Sequence, residues 1–165
     1  RRENRGQKLI EIATAILLIL SKYKNVNFLI PLHPNPVVHD PLKKFLGKHP
    51  RINLSKPLDY FEMVSAMKHC FFVMTDSGGI QEEAPSLGKP VLILRDTTER
   101  PEGVDFGTAR LIGTNSKNIF EEADRLLSEK KVYKVMSKAI NPYGDGMASF
   151  RIIEACKEML DINNI

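Results

Sequence analysis

Residues 70–84 read Cys-Phe-Phe-Val-Met-Thr-Asp-Ser-Gly-Gly-Ile-Gln-Glu-Glu-Ala, and no other stretch constrains the fold as tightly. The apolar run 70–75 predicts a buried strand. It breaks at Asp76, Ser77, Gly78 and Gly79, and a helical pattern follows from Ile80. A strand that enters a glycine turn and then a helix is how α/β proteins hold anions. The first helical turn has free N–H groups and a partial positive charge, and glycines let backbone approach the ligand. Glu83 follows Gly79 by one helical turn, close enough to fold back toward the same crevice.

The rest of the chain alternates in kind. Residues 7–22 carry a broad apolar face (Leu9, Ile10, Ile12, Ala13, Ile16, Leu17, Leu20) and predict a buried helix closed by Asn25. Residues 26–32 are continuously apolar, as strands covered on both faces are. His33, Pro34, Asn35 and Pro36 form a rigid loop, since each proline fixes its own φ and restrains its predecessor. A helix over 37–48 is expected to be interrupted at Pro41, and 52–54 predicts a short strand. Asp59 is placed to cap a helix over 60–68. After the central strand and turn comes a short helix limited by Pro85, then a strand over 91–94. Residues 95–107 predict a long polar loop, and loops of that length and charge are more often functional than filler. A strand over 109–112, a helix to 128 capped by Asn115 or Ser116, a helix over 129–138, a turn-rich loop 141–146 and an amphipathic helix 148–160 complete the chain. Such alternation specifies a doubly wound, mostly parallel, Rossmann-like sheet. Ligands bind such sheets outside the carboxyl ends of the strands, where the loops at 33–36, 55–59, 76–79 and 95–107 begin.

At 165 residues the chain has the length of one domain with a real core, and 42% hydrophobic with 27% charged residues excludes disorder or a fibre. A net charge of +4 without a basic block favours an anionic small ligand over nucleic acid. The longest apolar run, 12–20, is too short to span a bilayer and lacks signal-peptide flanks. Cys70 and Cys156 fall in apolar patterns, which predicts reduced core thiols in a cytoplasmic protein. The chain opens without Met on Arg1, Arg2, Glu3 and Asn4, and reads as a fragment of a longer polypeptide.

Each candidate site has a plainer alternative. Ser77, Gly78 and Gly79 are either a phosphate cradle or an ordinary tight turn; they match neither the Walker loop nor the dinucleotide fingerprint. Glu82 and Glu83 either compensate the helix dipole or supply a carboxylate whose two oxygens accept from both hydroxyls of a ribose. Lys89, Arg95 and Arg100, like Arg1 and Arg2, either neutralise a diphosphate or are solvated surface charge. His33, in a strand-end loop between prolines, is a stronger candidate than His39, His49 or His69. No spacing fits a metal site, and there is no nucleophile elbow or triad.

Six blocks in fixed order resemble a known family. They are Arg1 to Asn4, His33 to Pro36, Asp76 to Ala84, the Gly-Lys-Pro-Val at 88–91, the Arg-Asp-Thr-Thr-Glu-Arg-Pro-Glu at 95–102 and the Asn-Pro-Tyr-Gly-Asp-Gly at 141–146. Together they resemble the carboxyl-terminal half of the non-hydrolysing UDP-N-acetylglucosamine 2-epimerases. The resemblance implies the GT-B architecture, two Rossmann-like domains with the sugar nucleotide between them, of which residues 1–165 would be the UDP-binding one. It implies that Ser77, Gly78 and Gly79 contact the diphosphate and Glu83 the ribose, with Arg1 and Arg100 near the phosphates. The loop before Asp59 would lie near uracil, and His33 would face the cleft. The implied reaction inverts C2 of UDP-GlcNAc to give UDP-ManNAc, by elimination and re-addition of UDP, with no cofactor or metal. The acidic residues proposed for proton transfer belong to the family's amino-terminal half, and the histidine that precedes Arg1 in the family motif is absent. The segment is thus expected to bind nucleotide without turning over alone, with Arg100 and His33 as auxiliaries at most. A homodimeric full-length protein serving cell-envelope polysaccharide biosynthesis is also implied. A GT-B glycosyltransferase half, a hydrolysing epimerase and a non-catalytic UDP-sugar-binding regulatory module remain alternatives. The resemblance further implies that the first, central strand of the sheet is missing, which would leave two strand edges unpaired.

Overall fold

The computed structural model describes residues 4–160. Eight helices and five strands alternate in it: α1 Gln7–Lys22, β1 Phe28–Pro31, α2 Pro36–Leu46, β2 Ile52–Ser55, α3 Tyr60–His69, β3 Val73–Thr75, α4 Gly78–Ser86, β4 Val91–Ile93, α5 Pro101–Asp105, β5 Ala109–Leu111, α6 Ser116–Ser128, α7 Lys130–Lys138 and α8 Ala148–Met159. All strand pairs are parallel, so the loops that follow the strands emerge at one end. The sheet is in two pieces: β1 pairs with β2, and β4 lies between β3 and β5. Among the described residues β1 and β3 are not paired with each other.

Helices cover both faces, and β4 shows why its sequence is apolar throughout. Leu92 packs into the larger core with Leu9, Ile16, Ile19, Leu46, Ile119 and Leu126, from α1, α2 and α6. Val91 and Ile93 point the other way, toward Met67 of α3 and Ala84 of α4. Alternate side chains of a strand face opposite sides, so a strand buried on both must be apolar at every position.

Local chemistry sets several boundaries. Asp59 caps α3 through a full capping box, accepting from the Glu62 N–H at 2.8 Å while the Glu62 carboxylate accepts from the Asp59 N–H at 3.0 Å. Asn115, rather than Ser116, caps α6, and Asn35 caps α2. Gly88 ends the turn after α4 at φ 66°, a conformation that favours glycine.

Four expectations are corrected. The strand expected over 70–75 is shorter, because α3 runs on to His69 and Cys70 caps it. Pro41 does not interrupt α2, which continues through it to Leu46. Residues 95–107 are not all loop: Pro101 starts the one-turn helix α5, its fixed φ and missing N–H being suited to a first helical position. The cysteines are not both core thiols. Cys70 is half-buried, its thiol donating to the Met67 carbonyl at 3.1 Å and pushed up in pKa by burial, whereas Cys156 is exposed on α8. Helix α8 buries none of its residues and presents Phe150, Ile152, Ile153 and Met159 to solvent.

Candidate functional site

The carboxyl ends of β3 and β4 carry the densest set of site candidates. Thr75 ends β3, and its hydroxyl accepts from the Ser77 N–H at 3.0 Å, bending the chain into the turn. Ser77 is the N-cap of α4, yet its side chain makes no capping bond. The first bond that closes the helix is the one from Gln81 N–H to the Ser77 carbonyl, at 3.3 Å. Among the described residues the hydroxyl of Ser77 and the N–H groups of Gly78 and Gly79 therefore stay open at the positive end of a nine-residue helix. An anion placed there meets donors that need no rearrangement.

The two neighbouring glutamates separate cleanly. Glu82 is held by Arg100, whose Nε donates to its carboxylate. That contact, with the attraction between the two charges, raises the arginine pKa further. Glu83 makes no hydrogen bond or ion pair among the described residues, and its carboxylate folds back over the turn. A Cβ added at Gly79 would stand 3.8 Å from Glu83 Oε1. An unengaged carboxylate beside an open helix N-terminus is an acceptor-only group next to an anion site, the arrangement a ribose phosphate requires.

Arg100 reaches this place because its loop is tied down. The Thr98 hydroxyl donates to Gln81 Oε1 on α4 at 2.7 Å and accepts from the Arg100 N–H at 3.0 Å. Arg100 Nη1 donates to the Glu99 carbonyl at 3.0 Å. The Arg100 side chain keeps an exposure of 40%.

Other candidates are placed elsewhere. Arg95 is 4% exposed and its guanidinium binds both oxygens of Glu99, so it braces the loop. Lys89 precedes β4, at the amino end of the strand, and its Nζ donates to the Cys70 carbonyl at 2.7 Å. It lies at the wrong end of the sheet for the turn. His33 is exposed in the loop after β1, in the other sheet, with no bond to the Ser77 turn among the described residues. Its Nδ1 accepts from the Asn35 N–H at 3.1 Å, so the neutral ring carries its proton on Nε2. Arg1 and Arg2 lie outside the described residues. Among the described residues no group of three or more His, Cys, Asp or Glu is arranged to hold a metal ion, and no helix is long and apolar enough to cross a membrane.

Three residues gain a place that spacing alone does not reveal. Asn4, 4% exposed, donates from Nδ2 to Asp76 Oδ2 at 3.1 Å and to the Leu94 carbonyl at 2.9 Å, stitching the start of the chain to two strand ends. Gln81 is fully buried beneath the turn. Tyr143, from the loop at 141–146, reaches Gly103 and Arg100 across some 40 residues of sequence. Asn4 and Tyr143 stand in motif blocks, which was the available signal; Gln81 sits in the turn block itself.

Comparison with known proteins agrees on one family. A family model described as UDP-N-acetylglucosamine 2-epimerase matches residues 1–157. The UDP-N-acetylglucosamine 2-epimerase of Escherichia coli (strain K12) is 49% identical over 157 residues, 95% of this chain and 42% of that protein. The S. aureus MnaA–UDP structure superposes with a TM-score of 0.93 at 46% identity, over 98% of this chain and 44% of that one. The Neisseria meningitidis UDP-GlcNAc 2-epimerase bound to UDP-GlcNAc gives 0.91 at 45% identity, over 96% and 43%. The chain thus spans less than half the length of the relatives it matches, and its α/β fold is that of one half of a GT-B enzyme.

Proposed function

The chain belongs to the UDP-N-acetylglucosamine 2-epimerase family, and from that premise we propose that residues 1–165 form the UDP-binding, Rossmann-like half of an enzyme interconverting UDP-GlcNAc and UDP-ManNAc. The observation that carries the reading is the unengaged Glu83 carboxylate folded over Gly79, beside the open N-terminus of α4. In this reading Ser77, Gly78 and Gly79 bind the diphosphate, with Arg100 and Arg1 neutralising it, and Glu83 accepts from the ribose hydroxyls. The loop before Asp59 lies against uracil and His33 faces the sugar.

The chemistry assigned to this half is that of the leaving group. A base removes the C2 proton as the C1–O bond breaks and its electron pair leaves on UDP; UDP then rejoins C1 on the face it left while C2 takes a proton on its opposite face, so that C2 alone is inverted. Helix N–H groups and arginine already opposite the diphosphate stabilise the charge that develops on it. The groups that move the proton are assigned to the other half, so the segment alone binds UDP without turnover. The full-length protein is proposed to work as a cytoplasmic homodimer.

The test is to incubate the native full-length polypeptide with UDP-GlcNAc in D2O and follow C2 by proton NMR. Epimerisation with deuterium entering C2 is expected. Inversion without exchange, transfer of the sugar to an acceptor, or release of free ManNAc would each refute the assigned reaction.

A further inference from the structure

Tyr143 stands far from the Ser77 turn in sequence, on a loop with no assigned role. Asn141 builds that loop: its Oδ1 accepts from the Tyr143 N–H at 3.2 Å, and its Nδ2 donates to Ser86 Oγ at 2.8 Å, at the end of α4. The loop delivers the tyrosine to the start of α5. There the phenol oxygen accepts from the Gly103 N–H at 3.0 Å and its O–H donates to the Arg100 carbonyl at 3.4 Å.

These bonds meet a specific need. Helix α5 has five residues, and its N-cap, Arg100, makes no side-chain capping bond. The Gly103 N–H, at the third helical position, has no partner within the helix, and Tyr143 supplies one. Gly103 is buried, and a Cβ there would stand 2.6 Å from the Tyr143 oxygen, so glycine is what lets the phenol in. Arg100 is thereby fixed on both sides of its Cα: N–H to Thr98, carbonyl to Tyr143, with Pro101 rigid behind it. Burial raises the Tyr143 pKa, which keeps the O–H protonated as the donor this contact requires.

We propose that Tyr143 is a positioning residue that sets Arg100 against the diphosphate, coupling the 141–146 loop to nucleotide binding. The inference rests on the nucleotide reading above. The hydrogen bonds of the Tyr143 hydroxyl go to backbone groups, so it acts through where it holds the arginine.

The experiment is a double-mutant cycle in the native full-length polypeptide, with UDP measured by calorimetry and uridine by competition. Tyr143→Phe keeps the ring and removes both bonds; UDP affinity is expected to fall about three- to tenfold, the scale of losing ordinary hydrogen bonds. Uridine affinity is expected to stay unchanged. On an Arg100→Ala background the same substitution is expected to cost nothing further. Gly103→Ala, whose backbone tolerates a side chain, is expected to displace the phenol and reproduce the UDP loss. Equal losses for uridine and UDP, or a loss undiminished on the Arg100→Ala background, would overturn the proposal while leaving the nucleotide reading intact. A wild-type polypeptide that binds no UDP would overturn both.

Discussion

Replacing Glu83 with alanine tests the site at the point where its geometry is most specific. The carboxylate has no hydrogen-bond or ion-pair partner among the described residues, so its removal orphans no donor of the protein. The effect on stability should be small, and alanine favours a helix interior. The effect on ligand should be large. Hydrogen bonds to a charged acceptor contribute about 1.5–3 kcal/mol, and a vicinal diol offers two. One term opposes this. Glu83 folds toward Gly79, 3.8 Å from the position of its absent Cβ, and so shares the helix start with the proposed diphosphate. Removing its charge relieves some repulsion, weakened by solvent at this half-exposed place. The net expectation is a loss of about 1–3 kcal/mol, roughly five- to 150-fold in Kd. Calorimetry with UDP and with 2′-deoxy-UDP provides the assay. The wild-type polypeptide should favour UDP, and Glu83→Ala should bind both nearly alike. An unchanged UDP affinity, or a 2′-hydroxyl preference that survives the substitution, would remove Glu83 from the ribose.

Further expectations follow from other contacts. Asp124→Asn should weaken the α1–α6 packing, because Lys22 and Tyr23 both donate to Asp124 Oδ1 at 2.5 Å and hold its pKa below the usual carboxylate range. A depressed carboxylate stabilises the fold above its unfolded pKa and loses that contribution as pH falls through the folded value; urea melts of wild type and variant should therefore differ at neutral pH and converge in acid. Leu92→Ala should cost about 2–5 kcal/mol in the same melts, since the side chain is 0% exposed at the centre of the larger core. Asp59→Ala should cost about 1 kcal/mol by removing the N-terminal cap of α3.

Periodicity disclosed the elements wherever one physical demand dominated. The apolar stripe of 7–22, the Asp59 cap and the continuous apolar run of β4 each follow from burial or from orphan N–H groups, and each is found as expected. Misreadings arose where two demands competed. Residues 70–72 are apolar enough for a strand, but the helix before them continues until Cys70 caps it. The charged run after Arg95 hid a helix because the helix is a single turn whose start depends on one proline. The site shows the same division. Spacing singled out the turn and both glutamates, yet could not choose between them. That choice depends on Arg100, 18 residues beyond Glu82, which takes Glu82 and leaves Glu83 unengaged. A motif block contains Tyr143, but its bond to Gly103 is out of reach for pattern reasoning, because nothing local connects residue 143 to residue 103.

The divided sheet bears on how the two ends of the proposed site are held in register. His33 follows β1, whereas Ser77 follows β3, and no backbone ladder joins those strands among the described residues. What joins the two pieces is α1, through apolar packing and through hydrogen bonds: Arg51 donates to the Leu20, Tyr23 and Val26 carbonyls on one side, and Lys22 and Tyr23 donate to Asp124 on the other. Helix α1 contacts both α2 and α6, and one cluster unites Leu42 and Leu46 with Leu92, Ile119 and Leu126 through Ile16, Ile19 and Leu20. Hydrogen-bonded strands fix relative position through directional contacts, while side-chain packing tolerates small shifts at lower cost. Within β3–α4 and β4–α5 the diphosphate candidates are fixed by bonds: Thr75 to Ser77, Thr98 to Gln81 and Arg100, Tyr143 to Gly103. The group proposed to face the sugar is linked to them only through a helix. The residues of the proposed nucleotide cradle are therefore bonded to one another, and the place of His33 relative to them depends on how tightly α1 holds the two sheets together.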